Sequence, residues 1–151
     1  YPQAKEYNLS EQLCQSLLQF ENIWEKKNIS IETSLVEDIH IHADEELLSL
    51  VWNNLLSNAF KFTPENGKVS LSLAADEREA VVTVSDTGCG MKPETGVHIF
   101  EKFYQEDTSH ATQGNGLGLA LVKRVMDIIH GEIEVESIPG KGSTFTVKIR
   151  R

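Results

Sequence analysis

Three polar side chains recur along one predicted helix at a spacing that suits chemistry. Asn54, Asn58 and Lys61 fall within about 60° of one another on a helical projection, at the edge of the apolar face. Amide oxygens can ligate a hard cation such as Mg²⁺, and a lysine one turn further can meet phosphates that share the metal. A solvated helix flank is the simpler interpretation, but two asparagines in a helix interior are poor helix formers.

A second candidate group lies where a predicted strand ends. Asp86 closes an apolar strand and is followed closely by Gly88 and Gly90. A carboxylate beside glycines can accept hydrogen bonds where the backbone leaves room, which suits a flat ligand that offers N–H groups. An ordinary turn capped by aspartate is the alternative interpretation.

A glycine-rich segment, Gly114 to Leu119, runs directly into another predicted helix. Glycines at a helix N-terminus let backbone N–H groups approach an anion, and the helix dipole favours its negative charge. The dinucleotide fingerprint is excluded because it needs a glycine where Leu119 stands and a strand just before the segment. The P-loop is excluded because Gly142, and not Ser or Thr, follows Gly140-Lys141. Taken alone, the segment is equally typical of an ordinary loop.

The elements that must position these residues follow from hydrophobic periodicity. Helices are predicted at about Ser10 to Lys27, Glu45 to Phe62 with Asp44 as N-cap, and Leu117 to His130. Strands are predicted as one or two segments between Ile29 and Ile41, a hairpin of Lys68 to Ala75 and Glu79 to Asp86, and final strands Glu132 to Ser137 and Thr144 to Arg150. This order favours an α/β (α+β) two-layer sandwich, one sheet covered on one face by three helices.

Composition bounds the class of protein. The 151 residues suffice for a single domain, and the net charge of −9 is opposite to that of a typical nucleic-acid binder. Disorder is excluded by the 40% hydrophobic fraction, and the apolar stretches are too short to cross a bilayer. Cys14 and Cys89 suit neither a disulfide framework nor a zinc site and are expected to be free thiols. Because the chain begins with Tyr1, it is expected to be a fragment.

Together these segments resemble a known family, the catalytic ATP-binding (HATPase_c) domain of two-component sensor histidine kinases. The similar segments are Asn54 to Phe62 (N box), Asp86 to Gly90 (G1 box), Ile99 to Tyr104 (F box), Gly114 to Leu119 (G2 box) and the ending Gly140 to Phe145. The resemblance extends from Asn8 onward. It implies the Bergerat (GHKL) fold, with a mixed, mostly antiparallel sheet of about five or more strands and a mobile ATP lid over about residues 87–116.

The resemblance also implies roles for single residues. Asn58 would ligate Mg²⁺ with Asn54 nearby, and Lys61 would contact the phosphates, so these three form the expected catalytic set. Asp86 would accept from the exocyclic amine of adenine, and Phe62, where the family usually has Tyr, would line the adenine. The other residues expected to contact ATP or to shape the lid ends are Gly88, Gly90, Met91, Phe103, Gly114, Asn115, Gly116, Leu117, Gly118, Leu119 and Ser143.

One position departs from the family's F box. Gln105 stands where an arginine that could contact phosphate often follows Phe-Tyr. Lys102 and His110 are the residues that could take over this contact, although both are more simply lid residues.

The activity implied is transfer of the γ-phosphoryl group of Mg-ATP to a histidine on a helical dimerisation domain that would precede residue 1. The histidines of this chain, His40, His42, His98, His110 and His130, lack the sequence neighbourhood of that phosphoacceptor. The fragment alone is therefore not expected to autophosphorylate. Related hydrolases place a glutamate where this chain has Asn54, and an amide cannot take up a proton near neutral pH. A serine kinase or ATPase of the same fold and a catalytically silent interaction module remain the alternatives.

The expected cofactors are ATP and Mg²⁺, which Lys61 and the amides of Gly114 to Gly118 would hold in an otherwise acidic domain. The expected partners are the parent's own dimerisation domain and the receiver domain of a response regulator, with no nucleic acid and no membrane contact. The isolated fragment is expected to be a cytoplasmic monomer from a parent kinase anchored in the cell membrane.

Overall fold

A computed structural model describes residues 3–88 and 116–151, with the backbone alone at 116 and 117. The helices are α1 (Leu9–Leu18), α2 (Glu21–Lys27), α3 (Glu45–Phe62) and α4 (Gly116–Ile129). The strands are β1 (Lys5–Asn8), β2 (Ser30–Leu35), β3 (His40–Ala43), β4 (Lys68–Ala75), β5 (Glu79–Asp86), β6 (Glu132–Ile138) and β7 (Gly142–Arg150). Within this part of the chain, no helix is both long enough and apolar enough to span a bilayer.

Five strands form one mixed sheet in the order β2-β4-β5-β7-β6. β2 runs parallel to β4, and every other neighbouring pair is antiparallel. β1 and β3 form a separate two-stranded antiparallel ribbon. The predicted α+β sandwich with a mostly antiparallel sheet is thereby confirmed, although the described residues contain four helices and not three.

One face of the sheet carries the hydrophobic core. Alternate residues of the central strands, such as Val82, Val84 and Val147, are almost fully buried. Helix α3 packs against this face and contributes Trp52 and Leu55 to the same cluster. The alternation expected for a sheet covered on one side is therefore present in the central strands.

The opposite face of the sheet carries small hydroxyl and charged side chains. Ser72, Thr83 and Thr146 stand side by side on the three central strands. The edge strand β6 continues this face with three exposed glutamates, Glu132, Glu134 and Glu136. Such a face is suited to contact with water and not with another apolar layer.

The first predicted helix is wrong as a single element, because the chain turns at Phe20 and forms two helices. Phe20 has φ −102° and ψ 10°, and its N–H donates to the Leu17 carbonyl at 3.0 Å. This turn lets Phe20 and Trp24 both contact Phe60, with ring centroids 5.4 and 5.9 Å away. The apolar stripe continues through Phe20, so periodicity alone predicts one helix. The contacts of Phe20 and Trp24 with Phe60 of α3 favour two helices instead.

Strand β1 was not predicted. Only Tyr7 of its four residues is buried, so the segment has no period-two pattern. Tyr7 pairs with Ile41 of β3 in the two-stranded ribbon. One or two strands were predicted before Asp44, and the structure has two, β2 and β3. Asp44 is confirmed as the N-cap of α3, since its Oδ1 accepts from the Leu47 N–H at 3.1 Å.

A single buried glutamine joins β1, α1 and α3. Gln12 Oε1 accepts from Tyr7 Oη and from Trp52 Nε1, both at 2.9 Å. Its Nε2 donates to the Glu45 carbonyl at 2.8 Å and to Ser49 Oγ at 3.1 Å. All the hydrogen-bonding positions of the amide are used, so it is buried without an unmet partner. Burial, with the charge of Glu45 adding to it, raises the pKa of Tyr7, which stays neutral.

Candidate functional site

The last turn of α3 and the end of β5 meet at a glycine. A Cβ placed on Gly88 would lie 2.7 Å from the Phe62 carbonyl oxygen and 2.8 Å from Asp86 Oδ1. Both distances are shorter than van der Waals contact, so only glycine allows this approach. The Gly88 N–H also donates to Asp86 Oδ1 at 2.8 Å. The Asp86-to-Gly88 segment therefore lies against the end of the helix that carries Asn54, Asn58 and Lys61.

A second close approach comes from β7. Gly142 has a φ of +140°, and a Cβ there would collide with the Asp86 carbonyl oxygen. The next residue, Ser143, is the register partner of Asp86, and its Oγ lies 2.9 Å from Ser137 Oγ. The structure therefore places the predicted site residue Ser143 beside Asp86.

The Asp86 carboxyl group is the electrostatically unusual group of this junction. Burial raises its pKa, and the backbone N–H groups of Gly88 and Ser143 partly oppose this effect by donating to the carboxylate. A carboxylate offers about four acceptor positions, so these two donors leave capacity for a ligand. A partly buried acceptor discriminates strongly between ligands that offer an N–H group and ligands that do not, because an unpaired buried acceptor is costly.

Asn54, Asn58 and Lys61 lie along one flank of α3, as predicted. Asn54 Nδ2 donates to the Leu50 carbonyl at 2.7 Å, which commits the amide nitrogen to the helix and leaves the oxygen to accept or ligate. Asn58 is buried, with 5% of its surface exposed, whereas Lys61 is exposed in the last turn. Neutral amide oxygens suit a hard cation such as Mg²⁺ as ligands, and they leave its charge to be balanced by an anionic ligand.

Helix α4 begins at Gly116, one residue before the predicted start, and packs against α3. Gly118 is half-buried, and Leu119 is buried in the hydrophobic core. Leu119 therefore anchors the first turn of α4. Phe62, on the last turn of α3, is 42% exposed and free to line a ligand.

Residues 43–151 match the family described as the histidine kinase-, DNA gyrase B- and HSP90-like ATPases. This range contains α3, the end of β5 and the start of α4, and it is well over half of the chain. The chain belongs to this family.

Relatives of this ATPase-family domain include sensor histidine kinases. The sensor histidine kinase TmoS of Ectopseudomonas mendocina is 38% identical over 133 residues, which are 86% of this chain and 14% of TmoS. The phosphate regulon sensor protein PhoR of Pseudomonas aeruginosa is 39% identical over 122 residues, which are 80% of this chain and 28% of PhoR. The chain thus spans less than a third of the length of either relative.

Solved structures of histidine kinases share the fold of this ATPase-family domain. The catalytic domain of the histidine kinase ThkA superposes with a TM-score of 0.87 at 29% identity, over 98% of this chain and 95% of that domain. Full-length ShkA in complex with AMPPNP gives 0.84 at 31% identity, over 99% of this chain and 31% of ShkA. ThkA in complex with the response regulator TrrA gives 0.83 at 26% identity, over 99% of this chain and 42% of that chain.

Part of the predicted site of this ATPase-family domain lies outside the described residues. These positions are Gly90, Met91, Phe103, Gly114 and Asn115, together with Cys89, His98, Lys102, Gln105 and His110. Of the predicted lid, about 87–116, only Thr87, Gly88 and the backbone of Gly116 are described. The side chain of Leu117 is not among the described groups either.

The sequence did not identify the residues that support the contact between the end of α3 and the end of β5. A Cβ on Gly67 would lie 2.9 Å from Thr87 Oγ1, and this hydroxyl accepts from the Lys68 N–H at 2.9 Å. Thr63 is fully buried, and its Oγ1 donates to the Ala59 carbonyl at 2.6 Å. The Asn-Gly turn after α3 signals only a helix end, so its contact with Thr87, twenty residues away in the sequence, has no local signature.

Proposed function

We propose that this domain binds Mg-ATP where α3 meets the end of β5, and that it supplies the γ-phosphoryl group to a histidine on a separate dimerisation domain of a sensor histidine kinase. The observation that carries the proposal is the partly buried Asp86 carboxylate, which accepts from the N–H of Gly88, the residue that packs against the Phe62 carbonyl. The family match and the AMPPNP complex of ShkA support a nucleotide as the ligand.

The base of the nucleotide would be read at the strand end. Asp86 would accept from the exocyclic amine of adenine, because its carboxylate keeps acceptor capacity beyond the Gly88 and Ser143 N–H groups. Gly88 would clear the backbone away from the plane of the base, and Ser143 would add a hydroxyl beside Asp86. The exposed ring of Phe62 would cover one side of the base.

The phosphates would be held along α3 and at the start of α4. Asn58, with Asn54 one turn before it, would contribute amide oxygens to Mg²⁺, and Lys61 would contact the phosphates. The first backbone N–H groups of α4, at Gly116, Leu117 and Gly118, have no partner in their own helix and would donate to phosphate oxygens. Mg²⁺, when bound, neutralises phosphate charge and orients the transferred group. Gly90, Met91, Phe103, Gly114, Asn115 and Leu119 complete the proposed set.

Transfer to a protein side chain is favoured over hydrolysis by the residue at position 54. Its amide nitrogen is engaged by the Leu50 carbonyl, and an amide cannot act as a general base for water near neutral pH. The domain would therefore position ATP and neutralise charge, while the acceptor histidine comes from another domain.

One proposed partner is a domain of the parent protein, and the other belongs to a separate protein. ThkA is solved in complex with a response regulator, which supports a receiver domain as the destination of the phosphoryl group for the parent of this chain as well. The acceptor histidine would belong to the parent's own dimerisation domain. The domain would act in the cytoplasm as part of a parent protein that is anchored in the cell membrane. The isolated domain would be a monomer.

Calorimetric titration of the chain with Mg-ATP tests the proposal. We expect Asp86→Ala and Asn58→Ala each to raise the Kd at least about tenfold, the loss typical of one well-made polar contact. Glu77→Ala, an exposed change in the β4–β5 turn, serves as the control and leaves the Kd unchanged. A wild-type chain that does not bind Mg-ATP would favour the silent interaction module instead.

Two further outcomes would correct the proposed reaction. ATP turnover by the isolated chain at rates comparable to those of the related hydrolases would contradict the assignment of Asn54. Stoichiometric acid-labile phosphate on the isolated chain would show that the acceptor lies within it and not on another domain.

A further inference from the structure

The C-terminus of α3 is capped by a side chain from another helix. Lys27, the last residue of α2, donates from Nζ to the carbonyl oxygens of Phe60 and Thr63, each at 2.8 Å. The same ammonium lies 3.4 Å from the Lys61 carbonyl oxygen. An ammonium has three N–H donors, so this geometry uses all of them on the backbone of one helix end.

The sequence that follows α3 cannot supply this cap. The N–H and Oγ1 of Thr63 both donate to the Ala59 carbonyl, and the next residue, Pro64, has no N–H. The usual C-terminal motif needs backbone N–H groups just beyond the helix, commonly around a glycine. Lys27 replaces those donors, and its positive charge also interacts favourably with the negative end of the helix dipole.

Lys27 is fixed over this helix end by its own surroundings. The rings of Phe20 and Trp24 pack on the Phe60 ring, which attaches α2 to the last turns of α3. The Asn66 N–H donates to the Lys27 carbonyl at 2.9 Å, which attaches the end of α2 to the turn after α3. The hydrogen bond to the Lys27 carbonyl and the aromatic packing of α2 therefore both keep Lys27 beside the end of α3.

We infer that Lys27 is a positioning residue of the nucleotide site, an inference that rests on the proposed function. The carbonyls that it contacts flank Lys61 and Phe62 in the sequence. Lys61 is the proposed phosphate contact, and the Phe62 carbonyl is the group against which Gly88 packs. By fixing the last turn of α3, Lys27 holds the Lys61 side chain where the phosphates would lie.

Paired lysine variants test this role. Lys27→Met removes the donors and keeps most of the side-chain volume, whereas Lys26→Met removes an adjacent, exposed lysine of the same helix. We expect Lys27→Met to raise the Kd for Mg-ATP about fivefold and Lys26→Met to leave it unchanged. If Lys27 acts through Lys61, the effect of Lys27→Met largely disappears when Lys61→Met is already present, because coupled residues are not additive.

The outcomes separate this inference from the proposed function. A wild-type chain that does not bind Mg-ATP would overturn both. A wild-type chain that binds, with equal affinity in the Lys27→Met and Lys26→Met variants, would overturn only the role of Lys27. The same fold-loss from Lys27→Met with and without Lys61 would show that Lys27 does not act through Lys61.

Circular dichroism reports whether each variant is folded. Should Lys27→Met prevent folding, Lys27→Gln carries the test, because it keeps a neutral N–H donor on a shorter side chain. We then expect a rise in Kd of about twofold to threefold, again only when Lys61 is present. A folded Lys27→Gln variant with wild-type affinity would assign Lys27 to folding alone and overturn the inference.

Discussion

Gly88 packs against the carbonyl oxygen of Phe62 so closely that a Cβ would lie only 2.7 Å from that oxygen. Gly88→Ala must therefore separate the end of β5 from the end of α3. We expect it to lower the free energy of unfolding by about 1–3 kcal/mol, as overpacking does, and to raise the Kd for Mg-ATP at least about tenfold. Urea denaturation and calorimetric titration measure the two effects.

The control for this variant lies at the other end of the same helix. Asp44→Ala removes the N-cap of α3 and should cost about 1 kcal/mol of stability with no change in the Kd for Mg-ATP. If the two variants bind Mg-ATP equally well, the Gly88–Phe62 contact does not shape the site.

Asp86→Asn should stabilise the ligand-free domain at neutral pH. Burial raises the folded pKa of Asp86 above its unfolded value, so the ionised carboxylate lowers stability at every pH above the folded pKa. Below the unfolded pKa the carboxyl group is neutral in both states and the penalty is absent. We expect the variant's Tm advantage at pH 7 to shrink as the pH is lowered toward 3.8 and below, as thermal unfolding across this range would show. A variant less stable than the wild type at pH 7 would contradict the assigned cause.

The proposed nucleotide site should prefer adenine to guanine. GTP carries a carbonyl where ATP carries the exocyclic amine, so opposite Asp86 two acceptors would face each other without a proton. We expect Mg-GTP to bind at least about tenfold more weakly than Mg-ATP in competition titrations. Comparable affinities would remove Asp86 from base recognition while leaving Asn58 and Lys61 in place.

Gln12→Leu should be strongly destabilising, because it leaves Tyr7 Oη and Trp52 Nε1 without the acceptor they share. Removing one partner of buried polar groups costs about 1–3 kcal/mol for each group left unpaired. We expect a loss of about 2–4 kcal/mol in urea denaturation. Gln15→Leu, an exposed change on the same helix, is the matched control and should alter stability by less than about 0.5 kcal/mol.

Local patterns in the sequence were sufficient to predict the bounds of an element where its hydrophobic period is clear and specific residues mark its ends. Helix α3 and strands β4 and β5 have the predicted bounds, since Asp44 begins the helix, Pro64 ends it, and a charged turn separates the strands. The predicted helix from Ser10 to Lys27 lacked such a signal, and its break at Phe20 depends on a contact with Phe60.

The candidate site also contains residues that local sequence patterns can select and contacts that they cannot. Residue types and spacing mark Asn54, Asn58, Lys61 and Asp86 as candidates because these features are local, and their roles stay predictions. The bonds from Lys27 to the end of α3 join residues 33 to 36 positions apart, and no periodicity relates such positions. A helix that ends in Thr-Pro without a glycine does, however, indicate that its cap must come from elsewhere.

The three glutamates of β6 bear on how the domain meets other copies of itself. β6 lies at one end of the described sheet, and an edge strand is a template for pairing with a second chain. In an antiparallel pairing centred on Glu134, Glu134 would face its own equivalent and Glu132 would face Glu136 of the other copy, and like charges directly opposite each other are destabilising. The acidic row therefore disfavours edge-to-edge pairing of two copies of the domain through β6.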